Sequence, residues 1–170
     1  PEMGAGQALW YALFHAVSAF NNAGFDLFGS FNSLQAFTGD VVVNLTISIL
    51  FITGSLGFLV IYELFTFRKP RRLSLHSRLV LVGTGVLLLL GMMVILLLEY
   101  NQSLAALPWP GKILAAYFLS ATHTAGFSTI DINSTLLTTQ VFMMGMMFIG
   151  GAPGSTAGGI KVTTLLLLAM

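Results

Sequence analysis

Cysteine is absent from the 170 residues. Disulfides and thiolate metal sites are therefore excluded, and cysteine usage leaves the redox compartment open. Charge is nearly as scarce. Asp, Glu, Lys and Arg make up 8% of the chain, against roughly a quarter in a soluble domain, too few to cover a surface in water. Net charge is +1, and no basic stripe suited to a nucleic acid is present. The three histidines have no metal-ligand spacing, and no Ser/His/Asp set is visible, so an enzyme reading has no supporting residues. The opening PEMGAGQALW lacks the basic n-region of a signal peptide. Both ends read as points within a longer protein.

What fills the chain is apolar. Hydrophobic residues account for 56%, and mean hydropathy is +0.89. An all-α membrane protein is expected. The run 8–19 is too short for a hydrocarbon core of ~30 Å at about 1.5 Å per residue. It enters the membrane without crossing it. Residues 41–65 read as one transmembrane helix. Its polar residues and the Gly54/Gly57 pair suggest packing against protein. The stretch FRKPRRLSLHSR, residues 67–78, holds Arg68, Lys69, Arg71, Arg72 and Arg78. It is expected on the cytoplasmic side by the positive-inside rule. Residues 79–98 are free of charge and form the clearest span. Residues 111–121 are again a short apolar run, opened by Pro108 and Pro110. Residues 136–170 read as one span interrupted at 150–161.

The two short runs end alike. SAFNNAGF, from Ser18 to Phe25, recurs as SATHTAGF, from Ser120 to Phe127, with five of eight positions identical. The repeat unit is helix, half-helix, turn, helix. With the basic loop inside, both half-helices enter from the outer face and return to it. The repeat is thus parallel, with its axis along the membrane normal. Two units do not close a central pore, so further copies are expected in the remaining units of the same protein.

Non-helical backbone at membrane depth persists only where it is buried in protein or lines a water-filled cavity. The re-entrant half-helix with its turn, 8–29, and the turn 122–130 therefore become candidate filter segments. In them Asn21, Asn22, Ala23 and Gly24, and His123, Thr124, Ala125 and Gly126, are placed to turn carbonyls toward a pore. Each helix C-terminus adds about half a negative charge there. Carbonyl rings replace the hydration shell of K⁺ in channel filters, and glycine permits the positive φ such turns need. Phe25 and Phe127 are expected to wedge behind. Asp26, Glu99 and Asp131 fall at the outer face, Glu99 as a solvated loop residue.

The second candidate is the interruption Gly150-Gly151-Ala152-Pro153-Gly154-Ser155-Thr156-Ala157-Gly158-Gly159-Ile160-Lys161. Its glycines mimic a phosphate loop, but Ile160 stands where the lysine belongs and no strand precedes it. A small-xxx-small helix crossing through Gly150, Gly154 and Gly158 is the alternative. Pro153 and the density of glycine argue against a continuous helix. An unwound intramembrane loop below the second turn, acting as a gate, is expected instead. Lys161 near membrane depth is a candidate for function or for snorkelling.

SAFNNAGF, THTAGFSTID and FIGGAPGSTAGGIK closely resemble the Trk/Ktr/HKT superfamily of cation transporters, most of all bacterial membrane subunits of the KtrB and TrkH type. The resemblance covers nearly the whole chain. It implies four tandem helix–pore-helix–helix units around one pore. Residues 1–78 match the end of the second unit and 79–170 the third. It places filter glycines at Gly24 and Gly126, and the gating loop at 150–161. It implies K⁺ uptake through backbone carbonyls, in some members with Na⁺, and no covalently bound cofactor. A multi-pass subunit of the plasma membrane is implied, together with a homodimer and a cytosolic nucleotide-binding regulatory ring of the KtrA/TrkA type. Glycine at both filter positions points to K⁺, because serine there marks Na⁺-selective plant members. A secondary transporter of a small solute, with its site at the broken helix, is the competing reading.

Overall fold

The computed structural model describes residues 4–29, 32–66 and 73–168. Its helices are α1 (Ala5–Phe20), α2 (Val41–Leu56), α3 (Phe58–Thr66), α4 (Leu75–Glu99), α5 (Trp109–Ala121), α6 (Leu137–Phe148) and α7 (Val162–Leu168). Single 3₁₀ turns lie at Gln35–Phe37, Thr122–Thr124 and Ile132–Ser134. Among the described residues the sole β pairing is one parallel bridge, Ile149 with Ile160.

Helix length follows from where capping groups and breakers stand. Ser74 accepts a hydrogen bond from the Ser77 N–H at 3.2 Å, which starts α4 at Leu75 rather than at 79. Its 25 residues extend about 38 Å, enough to cross a membrane. α1 has 16 residues and α5 has 13, so they reach only about 24 and 20 Å. Both remain half-helices, although α1 begins earlier than expected. Proline fits the first turn of α5, where a helical N–H has no partner in any case. The basic residues at 68–72 lie outside the described residues.

The expected single span 41–65 is corrected by the structure. α2 and α3 meet at an angle of 102°. The break is Gly57, at φ +82°, a conformation that other residues resist. A helix broken there frees the carbonyls of Gly54 and Ser55 from their usual partners one turn on. The interrupted span 136–170 supplies replacements. The Thr156 N–H donates to Gly54 O at 3.1 Å and the Ala152 N–H to Ser55 O at 2.8 Å. The Phe58 N–H in turn reaches Gly154 O. Two broken elements thus satisfy each other's backbone, as an apolar environment requires.

α2 stands between the two half-helices. Ala19 of α1, Ile47 and Phe51 of α2, and Phe118 and Ala121 of α5 share one buried cluster with Ala125 and Phe127. The Phe51 and Phe118 rings meet edge to face at 5.8 Å. Tyr117 donates to Ser48 across the same contact at 3.1 Å. α5 also lies along α4, where Ile95, Ala115, Ala116 and Leu119 are buried with Met143 of α6. The loop after α1 crosses over to the second repeat. Leu34 N–H donates to Ser128 O at 2.9 Å, and Thr38 donates to the Thr129 carbonyl.

Glu99 overturns its expectation as a solvated loop residue. It is fully buried. The Leu136 N–H donates to Oε1 at 2.8 Å, the Thr139 hydroxyl donates to the same oxygen, and Ser103 donates to Oε2 through both its hydroxyl and its N–H. The carboxylate therefore fastens the end of α4 to the start of α6. Glu99→Ala strands four donors and is expected to cost on the order of 3 kcal/mol. It should lower the thermal midpoint of the detergent-solubilised full-length protein by several degrees, and an unchanged midpoint would remove this role.

Candidate functional site

The first turn begins where α1 ends. Asn21 caps the helix, and Asn22 adopts φ +52°, a left-handed conformation that asparagine tolerates better than most residues. The Ala23 N–H then folds back to Ser18 O at 2.9 Å. The second turn is built differently. α5 tightens into the 3₁₀ turn Thr122–Thr124, and the Thr122 carbonyl accepts from both Ala125 and Gly126. The two routes converge at the glycines, with φ +71° at Gly24 and +87° at Gly126.

The two turns meet. A β-carbon placed on Gly24 would run into the Ala125 carbonyl and stand 3.3 Å from the Cα of Gly126. Among the described residues no hydrogen bond takes the carbonyls of Ala23 or Ala125. The His123 ring is buried and held at 2.7 Å from Ser120 O, which leaves its backbone as the group it can present. Phe127 is buried behind its turn, as expected, whereas Phe25 is 68% exposed. His15 is a packing residue, stacked on Phe28 with centroids 4.8 Å apart. Asp26 and Asp131 each accept from a backbone N–H two residues on.

The interruption 150–161 is a closed loop. Its ends are joined by Gly150 N–H to Ile160 O at 2.8 Å and Ile160 N–H to Phe148 O at 3.0 Å. The two strands of the stem cross so closely that a side chain on Gly150 would overlap the Gly158 carbonyl. This close approach, not a helix crossing, explains Gly150 and Gly159. Lys161 turns back onto the loop. Its Nζ donates to Ala157 O at 2.6 Å and braces the loop from within. Ser155 turns its hydroxyl inward, where no partner is present among the described residues.

The loop was expected below the second turn, and a cavity of about 10 Å³ does lie between them, lined by His123, Thr124, Gly150 and Gly151. That is close to the least room one water needs. Of the two turns, however, it is the first that hydrogen-bonds to the loop. The Thr156 hydroxyl donates to Phe20 O at 3.0 Å and accepts from the Asn22 side chain at 2.8 Å. Gly54 of α2 makes room for this junction. A β-carbon there would overlap the Phe20 carbonyl and lie 2.8 Å from Thr156 Oγ1 and 3.0 Å from Asn22 Nδ2. Sequence reasoning took Gly54 as a helix-packing residue and Glu99 as a solvated loop residue, whereas Glu99 is buried. The only sequence signal for the junction was the spacing of Gly54 from Gly57.

This chain is similar to known proteins over nearly its whole length. The family described as TrkH, cation transport protein, matches residues 3–169. The chain belongs to the TrkH family. Among curated relatives, the Ktr system potassium uptake protein B of Bacillus subtilis (strain 168) is 42% identical over 99% of this chain and 38% of its own length. The protein of the same name from Vibrio alginolyticus is 42% identical over 96% of this chain and 37% of its own. The potassium/sodium uptake protein NtpJ of Enterococcus hirae is 38% identical over 99% of this chain and 37% of its own length. The chain therefore spans under two fifths of the length of these relatives. The crystal structure of the potassium transporter TrkH from Vibrio parahaemolyticus shares the fold, with a TM-score of 0.68 at 22% identity over 96% of this chain and 39% of that one. The TrkH fold thus accounts for the all-α membrane architecture.

Within this TrkH-family chain, Gly54→Ala is expected to force a methyl group into the Phe20–Thr156–Asn22 junction. Overpacking of this kind costs about 1–3 kcal/mol. The thermal midpoint of the full-length protein should fall, while Gly85→Ala, at a position with open space around it, should leave it unchanged. Equal midpoints for the two variants would dissolve the junction.

Proposed function

We propose that this chain forms two adjacent quarters of a carbonyl-lined K⁺ filter, Asn21–Gly24 and His123–Gly126, closed on its inner side by the loop 150–161. The observation that carries the proposal is the contact of the two turns. Each ends a half-helix, each has its glycine at positive φ, and each offers a carbonyl that no hydrogen bond engages among the described residues. Helix C-termini carry about half a negative charge each, so α1 and α5 both make the junction attractive to a cation. Carbonyl dipoles without carboxylates suit a large, weakly hydrated monovalent ion rather than Ca²⁺ or Mg²⁺.

In this reading the turns open to the outer face, and residues 67–78 lie in the cytoplasm. K⁺ enters from outside, sheds water against the carbonyls and meets the loop. The water-sized cavity between the second turn and the loop fits a closed gate. The loop interior is filled by its own backbone, with Gly150 against Gly158, which suits a plug better than a solute-binding site. The relatives named as potassium uptake proteins support K⁺ as cargo, and the potassium/sodium uptake protein supports Na⁺ as a secondary ion. The words "Ktr system" in two of those names fit a multi-component assembly. The remaining units of the longer protein complete the pore. A homodimer bearing a cytosolic nucleotide-binding ring of the KtrA/TrkA type completes the assembly.

Two measurements test this. Gly126→Ser in the full-length protein places a strained side chain at φ +87° and should lower the K⁺/Na⁺ uptake ratio, and an unchanged ratio would sink the filter assignment. Deletion of residues within 151–159 should raise flux or uncouple it from regulation. Regulated flux at the original level would remove the gate.

A further inference from the structure

Asn22 and Thr124 occupy the same position in the two repeat copies, 102 residues apart. They are bonded to each other: the Thr124 hydroxyl donates to Asn22 Oδ1 at 2.9 Å. The amide orientation follows from its other partners. Nδ2 faces the Phe51 carbonyl at 3.1 Å, a group that can only accept, so it is the donor. The same nitrogen donates to Thr156 Oγ1 at 2.8 Å. Three side chains thus form one line, Thr156–Asn22–Thr124. It runs from the loop through the first turn to the second.

The Thr156 hydroxyl has one proton, which goes to Phe20 O, and a lone pair that takes the Asn22 amide. Phe20 is the last residue of α1, so its carbonyl lacks the partner a longer helix would supply. Withdrawal of the loop removes Thr156 from both groups at once. The Asn22 amide then keeps only Phe51 and Thr124, and the end of α1 has a free carbonyl beside the filter turn.

We propose that Thr156 is a positioning residue for ion selection: through Asn22 it sets the alignment of the first filter turn against the second, so the loop governs K⁺/Na⁺ discrimination as well as flux. This rests on the filter reading above. Carbonyl sites discriminate by the number and placement of their dipoles. A loop that holds one turn in register therefore affects selectivity without touching the ion. A loop that only plugs the pore would change flux for both ions alike.

The test is K⁺ and Na⁺ uptake by the full-length protein in cells lacking other K⁺ uptake, with membrane expression checked for each variant. Thr156→Val keeps the shape and removes the hydroxyl. It should lower the K⁺/Na⁺ ratio about fivefold, the scale of one net hydrogen bond. Thr156→Ser should restore the ratio. Thr124→Val, which breaks the far end of the line without touching the loop, should lower it similarly, and the double variant should add little to either single one. If Thr156→Val alters total flux at an unchanged ratio, while Gly126→Ser does change the ratio, the coupling is overturned and the filter stands. If neither variant moves the ratio, the filter assignment fails and the coupling fails with it. Should Thr156→Val not reach the membrane, Thr124→Val decides alone, and an unchanged ratio there overturns the proposal.

Discussion

A helix that stops inside an apolar slab leaves its last carbonyls without partners, and the rest of this structure is arranged around that problem. α1 and α5 are too short to reach the far side of a membrane. Their ends must be satisfied by protein, by water or by an ion. At the end of α1, protein supplies part of the answer through Thr156. Beside the glycines of both turns, the carbonyls of Ala23 and Ala125 accept no hydrogen bond among the described residues.

The same constraint explains why the two broken elements lie together. A kink at Gly57 exposes the carbonyls of Gly54 and Ser55, which would be costly against lipid. The unwound loop has spare N–H groups at Ala152 and Thr156. Each defect would destabilise the chain alone, and together they cancel. Gly54 lets the backbone of α1 and the loop approach α2 at the point where these bonds form. The loop is thereby fixed in place without being packed as a helix, and its ends, pinned by the Ile149–Ile160 bridge, define what can move.

At the end of α4, Glu99 does comparable work with charge instead of backbone. A buried carboxylate is tolerated only when its oxygens are bonded, and here four donors from two segments converge on it. It holds α6 to the end of α4 and so anchors the helix that leads into the loop. Leu34 and Thr38 bind the loop after α1 to residues 128 and 129 of the second repeat. The repeat copies are thus joined at these loops, at the turns and through α2.

The sequence by itself determined the class, the short helices, the repeat and the two glycine turns. Scarce charge, run lengths and the SAFNNAGF/SATHTAGF echo are local properties, and local length decides whether a helix can span. It also determined that 150–161 is not helical, because Pro153 and the glycines act on their own backbone. Tertiary structure alone decided the 102° break at Gly57, since a glycine inside an apolar run permits a kink without requiring one. It decided the burial of Glu99, whose donors come from residues up to forty positions away. It also decided that Thr156 bonds the first turn while the loop lies beside the second. That contact joins residues 134 positions apart, and no periodicity in a chain carries information about a meeting of that kind.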